Sequence, residues 1–391
     1  MSVKHLFFAL LRAHVLGGEG LSDEDRAAVG EKAEKLFQLA SAHDMAHLIG
    51  FSLYEAGLAE AYAHFENHHL LALFRYESIA YEQIRVGEVL EAASIPHMPL
   101  KGALLRELYP EAWMRPSCDV DVLVKGEDLD RAVAALVENG FTIRDRTSHD
   151  VGFASAGHIP TELHFRLWEN GQSDKIRDLL ESAWDTATLV DGTSYQYAMT
   201  DELFYFYHVA HMAKHVEHGG CGIRPFLDMW LMDKAADAEA RRREMLEKGG
   251  LLQFAEAARA LCRVWFEGAP HSEITRGFEA FVLEGGVYGT ETNRVAIQQQ
   301  QRGGRLRYAL SRIFVTREVL KVAFPILDRH PWLFPFLQVA RWWNILRRGD
   351  GKRSLDELAF SGSLSDDRAS EMRHLLDTLG LPREGERTIE N

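Results

Sequence analysis

Polar and apolar side chains alternate in one short stretch that is otherwise rich in β-branched residues. Asp119 and Asp121 flank Val120, and Val122 and Val124 continue the same alternation. Successive side chains of a strand point to opposite faces, so this pattern predicts a strand whose valines face the core and whose aspartates share the other face. Aspartate is disfavoured in strands, and two neighbouring carboxylates repel one another unless a cation lies between them. An exposed edge strand with both carboxylates in water is the alternative.

A second alternating stretch supplies a third acid. Glu162, His164 and Arg166 alternate with leucine and phenylalanine, which predicts another strand with these polar side chains on one face. Carboxylate oxygens are the ligands that Mg²⁺ or Mn²⁺ prefers, and three carboxylates on adjacent strands can hold the two ions of a phosphoryl- or nucleotidyl-transfer site. His164 shares the strand face of Glu162, where it could orient that carboxylate.

A glycine follows the strand that is predicted upstream of the aspartates. Residues 97–100 are predicted to be a strand, Lys101 and Gly102 a turn, and residues 103–108 a short helix. A glycine at such a turn lets backbone N–H groups approach a phosphate, and a helix N-terminus favours the anion. The pattern therefore predicts a phosphate-binding turn.

The periodicity of apolar positions divides the chain into three parts. Residues 1–93 are helical, strands alternate with helices over 94–198, and helices return over 199–391. This order predicts an α/β (α+β) core with a mixed sheet, flanked by N-terminal helices and a large C-terminal helical region. A chain of 391 residues is long enough for two or three domains.

A long helix is predicted to lead into the first strand. Leu70, Leu71, Leu73 and Phe74 lie in the middle of this helix, which covers about residues 60–93, and we expect the helix to pack on the sheet. Further helices are predicted in the last part of the chain. They cover residues 236–248, 251–266, 273–283, 305–322 and 332–347.

Composition and charge describe an ordinary soluble protein and exclude some partners. The 58 acidic residues outnumber the 44 basic ones, and the resulting net charge of −14 argues against bulk binding to nucleic acid. The 3 cysteines lack metal-ligand spacing, which predicts a reduced, cytoplasmic chain. No apolar stretch approaches the length of a membrane span.

Histidines line one face of a predicted helix. His208, His211, His215 and His218 are separated by helical intervals, so a zinc site on this face is one hypothesis and would indicate a His-based metallohydrolase. The helix lacks the intervening Glu of a zinc-protease motif, and Lys214 adds a cation that disfavours a metal. Histidines that form hydrogen bonds at a domain boundary are the alternative.

The segment with His43, Asp44 and His47 also invites comparison with the metal motifs of phosphohydrolases. The alternative is an ordinary helix start that is capped by Asp44.

Taken together, these motifs resemble a known family. The chain carries Lys101-Gly102, Tyr109-Pro110, Arg115-Pro116, Asp119-x-Asp121 in an apolar strand, and Glu162-x-His164. This series is similar to the nucleotidyltransferase superfamily of the DNA polymerase β type, and most similar to its bacterial branch of uncharacterised nucleotidyltransferases. The turn of the broader superfamily is Gly-Ser, whereas Gly102 follows a lysine here.

The resemblance implies a mixed sheet with flanking helices, an NTP substrate such as ATP, and two Mg²⁺ ions. Asp119, Asp121 and Glu162 would hold the ions. Lys101, the Gly102 N–H and Arg115 would neutralise the triphosphate. The resemblance further implies that five residues lie over the mouth of the active site, where they would contact phosphate or acceptor. These are His211, Lys214, His215, Arg224 and Asp228.

The expected activity is transfer of a nucleoside monophosphate to an acceptor hydroxyl with release of pyrophosphate. A catalytically silent nucleotide-binding or regulatory module is the alternative, and it would bind NTP without turnover. The acceptor could be a sugar, another small molecule or a protein side chain, and the acidic charge disfavours a tRNA end. Replacing Asp119 or Asp121 by asparagine is expected to abolish turnover and to leave stability unchanged or raised, because it relieves repulsion.

Overall fold

Helices surround a five-stranded mixed sheet in this chain, whose structure is a computed structural model. The described residues are 1–155, 157, 159–169, 171–235, 238–301, 314–317, 320–321, 324–348 and 366–381. The chain divides into two compact units. The first comprises Met1–Val216 and Cys221–Tyr288, and the second Glu217–Gly220 and Gly289–Asn391. Both boundaries expected from the sequence, 93/94 and 198/199, lie inside the first unit.

Five helices form the N-terminal part of the first unit. Ser2 and Ser22 cap the first two, because each serine hydroxyl accepts a hydrogen bond from a backbone N–H in the first turn. Acidic residues in the first turn of the second helix add favourable charge at its N-terminus. The helices are α1 (Val3–His14), α2 (Asp23–Ala42), α3 (Ala46–Glu55), α4 (Ala59–Tyr62) and α5 (Glu66–Ala92).

The sheet is mixed, as the sequence predicted. Its strands lie in the order β1-β2-β5-β4-β3, with β2 parallel to β5 and all other neighbours antiparallel. The strands are β1 (His97–Pro99), β2 (Val120–Val124), β3 (Thr142–Arg146), β4 (Asp150–Ala154) and β5 (Thr161–His164). A separate two-stranded ribbon pairs β6 (Thr188–Leu189) with β7 (Tyr197–Ala198).

One face of this sheet forms the hydrophobic core, as the alternation in β2 predicted. Val120, Val122 and Val124 are buried together with apolar residues of β4 and β5. Helix α5 and helix α7 (Leu129–Glu138) cover this face with their own apolar residues. The carboxylate side of β2 is therefore the opposite face, which leaves it available for a site.

The long helix packs on the sheet and leads into β1, as the sequence predicted. Helix α5 faces the core with Ile79, Val86 and Leu90. Leu70, Leu71 and Phe74, on other sides of the helix, are exposed. The helix is apolar on two sides, and helical periodicity does not tell which side meets the sheet.

Helices dominate the rest of the first unit. The helices predicted over 236–248, 251–266 and 273–283 are confirmed with small shifts at their ends. Aromatic packing holds them together, with the Trp265 and Phe278 rings both contacting Phe226 edge-on. These helices are α6 (Gly102–Leu105), α8 (Asp174–Glu181), α9 (Asp201–Glu217), α10 (Arg224–Ala235), α11 (Glu239–Lys248), α12 (Leu252–Glu267) and α13 (Glu273–Gly285).

The second unit contains three described helices. Helix α14 (Glu291–Gln301) packs against α16 (Asp366–Thr378), where Arg368 donates a 2.8 Å hydrogen bond to the Asn293 amide oxygen. Helix α15 (Phe334–Arg348) confirms the helix predicted over 332–347. Most of the helix predicted over 305–322 lies outside the described residues. Within the part of the chain that the structure describes, no helix combines the length and apolar character that a membrane crossing needs.

Candidate active site

The turn after β1 brings backbone and side chains into close contact. Lys101 adopts a φ of 30°, a conformation that residues with a side chain rarely adopt. Gly102 follows and begins α6. A Cβ at Gly102 would lie 2.7 Å from the Ser117 hydroxyl oxygen and 3.1 Å from Nη1 of Arg115, so only glycine fits here without displacing its neighbours.

A buried arginine ties this turn to the loop that leads into β2. Nε of Arg106 donates a 2.7 Å hydrogen bond to the Gly102 carbonyl, and Nη2 donates a 3.0 Å bond to the Ser117 hydroxyl. Ser117 lies two residues before Asp119. Arg106 therefore fixes the glycine turn and the aspartate loop relative to one another.

Strand pairing brings two of the predicted acids together. Asp121 is opposite Glu162 in the parallel β2–β5 register, with His164 two residues farther along β5. Nε2 of His164 lies 3.2 Å from Oδ1 of Asp121 and 3.5 Å from Oε2 of Glu162. Burial opposes protonation of His164, but its hydrogen bonds to Asp121 and Glu162 dominate and raise its pKa to about 9.

The nearby negative charges make ionisation of Asp119 unfavourable. Burial, followed by repulsion from Asp121 and Glu162, raises the pKa of Asp119 to about 6. Asp121 behaves in the opposite way. Burial would raise its pKa, but Lys101 and the hydrogen bond from His164 lower it. Asp119, Asp121 and Glu162 are close enough to repel one another, and Lys101 and His164 compensate mainly the charge of Asp121.

Arg115 is held in a buried ion pair with Asp228 of α10. Its Nε and Nη2 lie 3.3 and 3.1 Å from the two carboxylate oxygens, and Tyr109 donates a 2.8 Å hydrogen bond to the same carboxylate. Burial would raise the pKa of Asp228, yet the charge of Arg115 lowers it. This fork geometry fixes the guanidinium while Nη1 points toward Gly102.

Most of the residues that the sequence proposed line one cavity of about 340 Å³. They are Lys101, Gly102, Arg115, Asp119, Asp121, His211, His215, Arg224 and Asp228. Glu162 and His164 do not line the cavity but contact Asp121 from the neighbouring strand. Lys214 also does not line it, and its ammonium forms an ion pair with Glu169. The tyrosine ring of Tyr207 closes another side of the cavity beside the Lys101 ammonium, 5.5 Å from its centroid.

Comparison with known proteins identifies the family of the chain. Residues 30–267 match the model of a protein family described as an uncharacterised nucleotidyltransferase, which is well over half of the chain. The chain belongs to this family. The matched stretch includes every acid and base discussed above, so the resemblance inferred from the sequence motifs is confirmed. No curated protein and no solved structure matches the chain significantly.

In this family member, the histidine face of α9 contributes two neighbouring imidazoles to the cavity. Nε2 of His215 lies 3.3 Å from Nε2 of His211, and burial together with the nearby Lys101 lowers the pKa of His211 well below its ordinary value. Among the described residues, the pair belongs to no group of three side chains at metal-ligand spacing. His208 forms a hydrogen bond to the Pro225 carbonyl. Burial also lowers the pKa of His208, so His208 and His211 give this face neutral hydrogen-bonding groups.

The segment around His43 has a structural role. Asp44 does not cap α3, whose N-cap is Met45; its carboxylate accepts a 2.9 Å hydrogen bond from Nη1 of Arg224. His47 bonds to the Met114 carbonyl at 2.9 Å. In the described part of the chain, these residues form no group of three potential metal ligands.

A second group of potential ligands lies beside the acids. His149, Asp150 and His164 have ligand atoms within 4.8 Å of one another, and Nε2 of His149 is 2.9 Å from an Asp150 oxygen. Asp150 is opposite His164 in the β4–β5 register. This group continues the polar face of the sheet, and its His164 also contacts Asp121.

Sequence reasoning missed several residues that build the site. Arg106, Tyr207 and Glu169 all hold or contact a proposed site residue. For Arg106 a signal existed, because it lies one helical turn after Gly102, where a long side chain can reach back to that carbonyl. Tyr207 and Glu169 act through contacts between distant segments, for which the sequence pattern gives no signal. Tyr109 belongs to the motif series, and its hydrogen bond to Asp228 gives it a role that the motif did not indicate.

Proposed function

We propose that the cavity binds a nucleoside triphosphate and that the protein transfers the nucleoside monophosphate to an acceptor hydroxyl with release of pyrophosphate. One observation carries this proposal: Asp121 and Glu162 face one another across β2 and β5 with ligand atoms within 4.8 Å, and Asp119 lines the cavity with Asp121 and Lys101, in a member of a nucleotidyltransferase family. Mutual repulsion destabilises this arrangement in the free protein. Such a cluster is explained when a cation and its substrate compensate the charge.

The donor atoms of the site suit Mg²⁺. All three acids offer carboxylate oxygens, the ligands that Mg²⁺ prefers, and Mg²⁺ is usually held by one or two carboxylates plus substrate phosphates. Asp119 and Asp121 would hold both ions, and Glu162 would complete the coordination of one of them. When bound, two such ions stabilise the entering and the leaving oxygen of an in-line displacement. His164 supports Asp121 and Glu162 by donating a hydrogen bond, and we assign it no metal.

Cationic groups on the other side of the cavity suit the triphosphate. Lys101 and Arg115 both line it, and the ion pair with Asp228 orients Arg115 without using its Nη1. Arg224 also lines the cavity and is held by Asp44. A volume of about 340 Å³ falls at the low end of the usual range for small-molecule sites. Positioning and charge neutralisation are the main contributions that proteins make to this class of reaction.

The chemistry requires one bond exchange and one proton transfer. The acceptor oxygen forms a bond to the α-phosphorus, the bond between that phosphorus and the β-phosphate oxygen breaks, and pyrophosphate leaves. The hydroxyl proton must pass to a base as the oxygen attacks. Glu162, whose side chain is 41% exposed, is the carboxylate that an acceptor can reach from outside the cavity. Neutral His211 suits hydrogen bonding to substrate hydroxyl groups.

Calorimetric titration with ATP, GTP, CTP and UTP in the presence of Mg²⁺ tests the binding half of this proposal. At least one NTP should bind to the wild type and to the exposed-site control Asp130→Asn, and binding should weaken strongly in Asp121→Asn. Absence of binding for all four NTPs would overturn the proposal.

A pyrophosphate-release assay with a panel of sugar, amino-alcohol and peptide hydroxyl acceptors tests the catalytic half. The proposal expects release that requires Mg²⁺ and that Asp119→Asn abolishes. Binding without release for every acceptor would instead support the silent nucleotide-binding module.

A further inference from the structure

An aromatic ring lies at the opening of the cavity, outside the part of the chain that matches the family. Tyr288 lines the cavity, yet it is 94% exposed, more than any other large apolar or aromatic residue of the described chain. The family match ends at residue 267. A residue that borders a cavity and is almost fully open to solvent lies at its rim. Large aromatic side chains usually bury most of their surface, so a ring left open at a rim is suited to cover a ligand.

The backbone below this ring is held on two sides. The Val287 N–H donates a 3.1 Å hydrogen bond to the carbonyl of Ala42, the last residue of α2. Val287 also packs against Gly222, where a Cβ would lie only 3.1 Å from Cγ2 of Val287. The exposure of Tyr288 therefore does not come from a loosely attached segment. The chain fixes the backbone at this point and presents the ring to solvent.

The groups suited to phosphate lie deeper in the same cavity, and both parts belong to the first compact unit. Arg115 is buried, and Lys101 is half-buried beside the ring of Tyr207. The volume of about 340 Å³ is at the low end for small-molecule sites, so phosphates and metal ions would occupy much of it. In a nucleotide, the base lies at the opposite end from the terminal phosphate. An NTP whose phosphates contact Lys101 and Arg115 therefore directs its base toward the rim.

We propose that the ring of Tyr288 stacks on the nucleobase of the bound NTP. This inference rests on the proposed function, because it takes a nucleotide as the occupant of the cavity. The acceptor approaches elsewhere: Glu162, the carboxylate within its reach, does not line the cavity. The rim at Tyr288 is therefore left for the nucleoside, and a planar aromatic ring matches the face of a base.

The surroundings of this ring predict weak selectivity among bases. Val287 and Gly222, which pack beside it, carry no polar side-chain atom that could read the edge of a base. Stacking tolerates every base, because each has a π face, and its strength sets only modest preferences. The site should therefore bind all four NTPs, with the larger purines bound more tightly by less than about tenfold.

Calorimetry with a nucleotide and with a base-free triphosphate tests the proposal on the full chain. The probes are ATP and inorganic tripolyphosphate, each with Mg²⁺. Tyr288→Ala should weaken ATP binding by about tenfold or more and leave tripolyphosphate binding unchanged. Tyr288→Phe keeps the ring and should bind ATP like the wild type. Tyr81→Ala, which removes an exposed tyrosine of α5 that does not line the cavity, is the matched control and should change neither affinity.

Each other outcome has a defined meaning. Equal ATP affinity of the wild type and Tyr288→Ala would overturn the proposal. An equal loss of ATP and tripolyphosphate affinity would also overturn it, because the substitution would then disturb the phosphate end. A loss in Tyr288→Phe as large as in Tyr288→Ala would assign the effect to the hydroxyl and reject stacking. A wild type that binds neither probe would contradict the proposed function itself.

The fluorescence of 2-aminopurine riboside triphosphate reports the stacking directly, because stacking on an aromatic ring quenches this base. With Mg²⁺ and saturating protein, the bound analogue should be quenched by the wild type and by Tyr288→Phe. It should be brighter when it is bound to Tyr288→Ala. Equal quenching by the wild type and Tyr288→Ala would show that the base lies away from this ring and would overturn the proposal.

Discussion

Asp121 lies directly opposite Glu162 in the parallel pairing of β2 with β5, although 41 residues separate them in the chain. A parallel pair in register aligns side chains on the same face, so both carboxylates project to the side away from the core. His164 binds both of them. The site therefore depends on the register of a single strand pair, and a shift by one residue would turn Glu162 toward the core.

Asp119, in the loop before β2, and Asp121, in β2, should respond differently to replacement by asparagine in metal-free buffer. The pKa of Asp119 is raised, so its charge costs stability as pH rises through about 6 and costs nothing below about 3.8. Asp119→Asn should therefore stabilise the protein by about 1–2 kcal/mol at pH 8, discounted for partial exposure, and by less at pH 5. Urea unfolding in EDTA at both pH values measures this difference.

For Asp121 the structure changes the expectation drawn from the sequence. Its pKa is lowered, so its charge adds stability at every pH above its ordinary range. Asp121→Asn should cost about 1–2 kcal/mol at pH 8, because Lys101 and His164 lose their partner. The same unfolding experiment checks this, and equal stabilisation by both variants would show that the charges of Lys101 and His164 do not act as described.

The buried pair of Arg115 and Asp228 should be essential to the site. Asp228→Asn leaves the guanidinium buried without a counter-charge, which should cost about 3 kcal/mol of stability and weaken NTP binding about tenfold or more. Tyr109→Phe removes one hydrogen bond and keeps the ion pair, so it should cost only about 1 kcal/mol. Chemical denaturation and calorimetry compare the two variants. Equal effects of both would mean that the ion pair does not position Arg115.

Gly102 should not tolerate a methyl group. In Gly102→Ala the Cβ would lie 2.7 Å from the Ser117 oxygen, so the loop or Arg115 must move, with a cost of about 1–3 kcal/mol and weaker NTP binding. Gly30→Ala is the matched control, because a Cβ there meets no atom within 4 Å in the exposed middle of α2. That change should stabilise the helix by about 0.5–1 kcal/mol. Unchanged NTP affinity in Gly102→Ala would contradict the role of this turn.

The fully buried His43 should make folding sensitive to mild acid. Burial lowers its pKa from 6.5 to about 4, so the unfolded chain binds a proton between these values that the folded protein does not. His43 therefore costs no stability above about pH 6.5. Below that pH its contribution lowers the free energy of unfolding, by about 2 kcal/mol at pH 5, and the loss grows as pH decreases toward 4. His43→Leu should reduce the loss between pH 7.5 and pH 5 by that amount, and the exposed His374→Leu should not. An identical loss in wild type and His43→Leu would refute the argument.

Local pattern was enough to predict the strands that carry the acids. The alternation of aspartate and valine in β2 and of polar and apolar residues in β5 depends only on the period of a strand, and both strands are present. They are shorter than predicted: Asp119 lies just before β2, and Arg166 lies beyond the end of β5. The mixed sheet and most helices follow from the same kind of pattern. The metal ligands and their ions stay predictions.

The rest depends on contacts that no local pattern encodes. The partnership of Arg115 with Asp228 joins segments 113 residues apart and arises only when α10 packs beside the loop before β2. Lys214 shares the helix of His211 and His215, yet it points to Glu169 rather than into the cavity. In α5, two apolar faces are equivalent in sequence, and only tertiary packing selects the one that meets the sheet.

Manganese titration followed by electron paramagnetic resonance tests the central claim most directly. Mn²⁺ accepts the same oxygen ligands as Mg²⁺, and its free and bound forms are distinguished by their spectra. With a non-hydrolysable ATP analogue present, the wild type should bind two Mn²⁺ per chain beyond those held by the nucleotide alone in a protein-free control. Asp119→Asn and Asp121→Asn should each lose most of this binding. Absence of saturable Mn²⁺ binding by the wild type, or full binding by Asp121→Asn, would contradict the account.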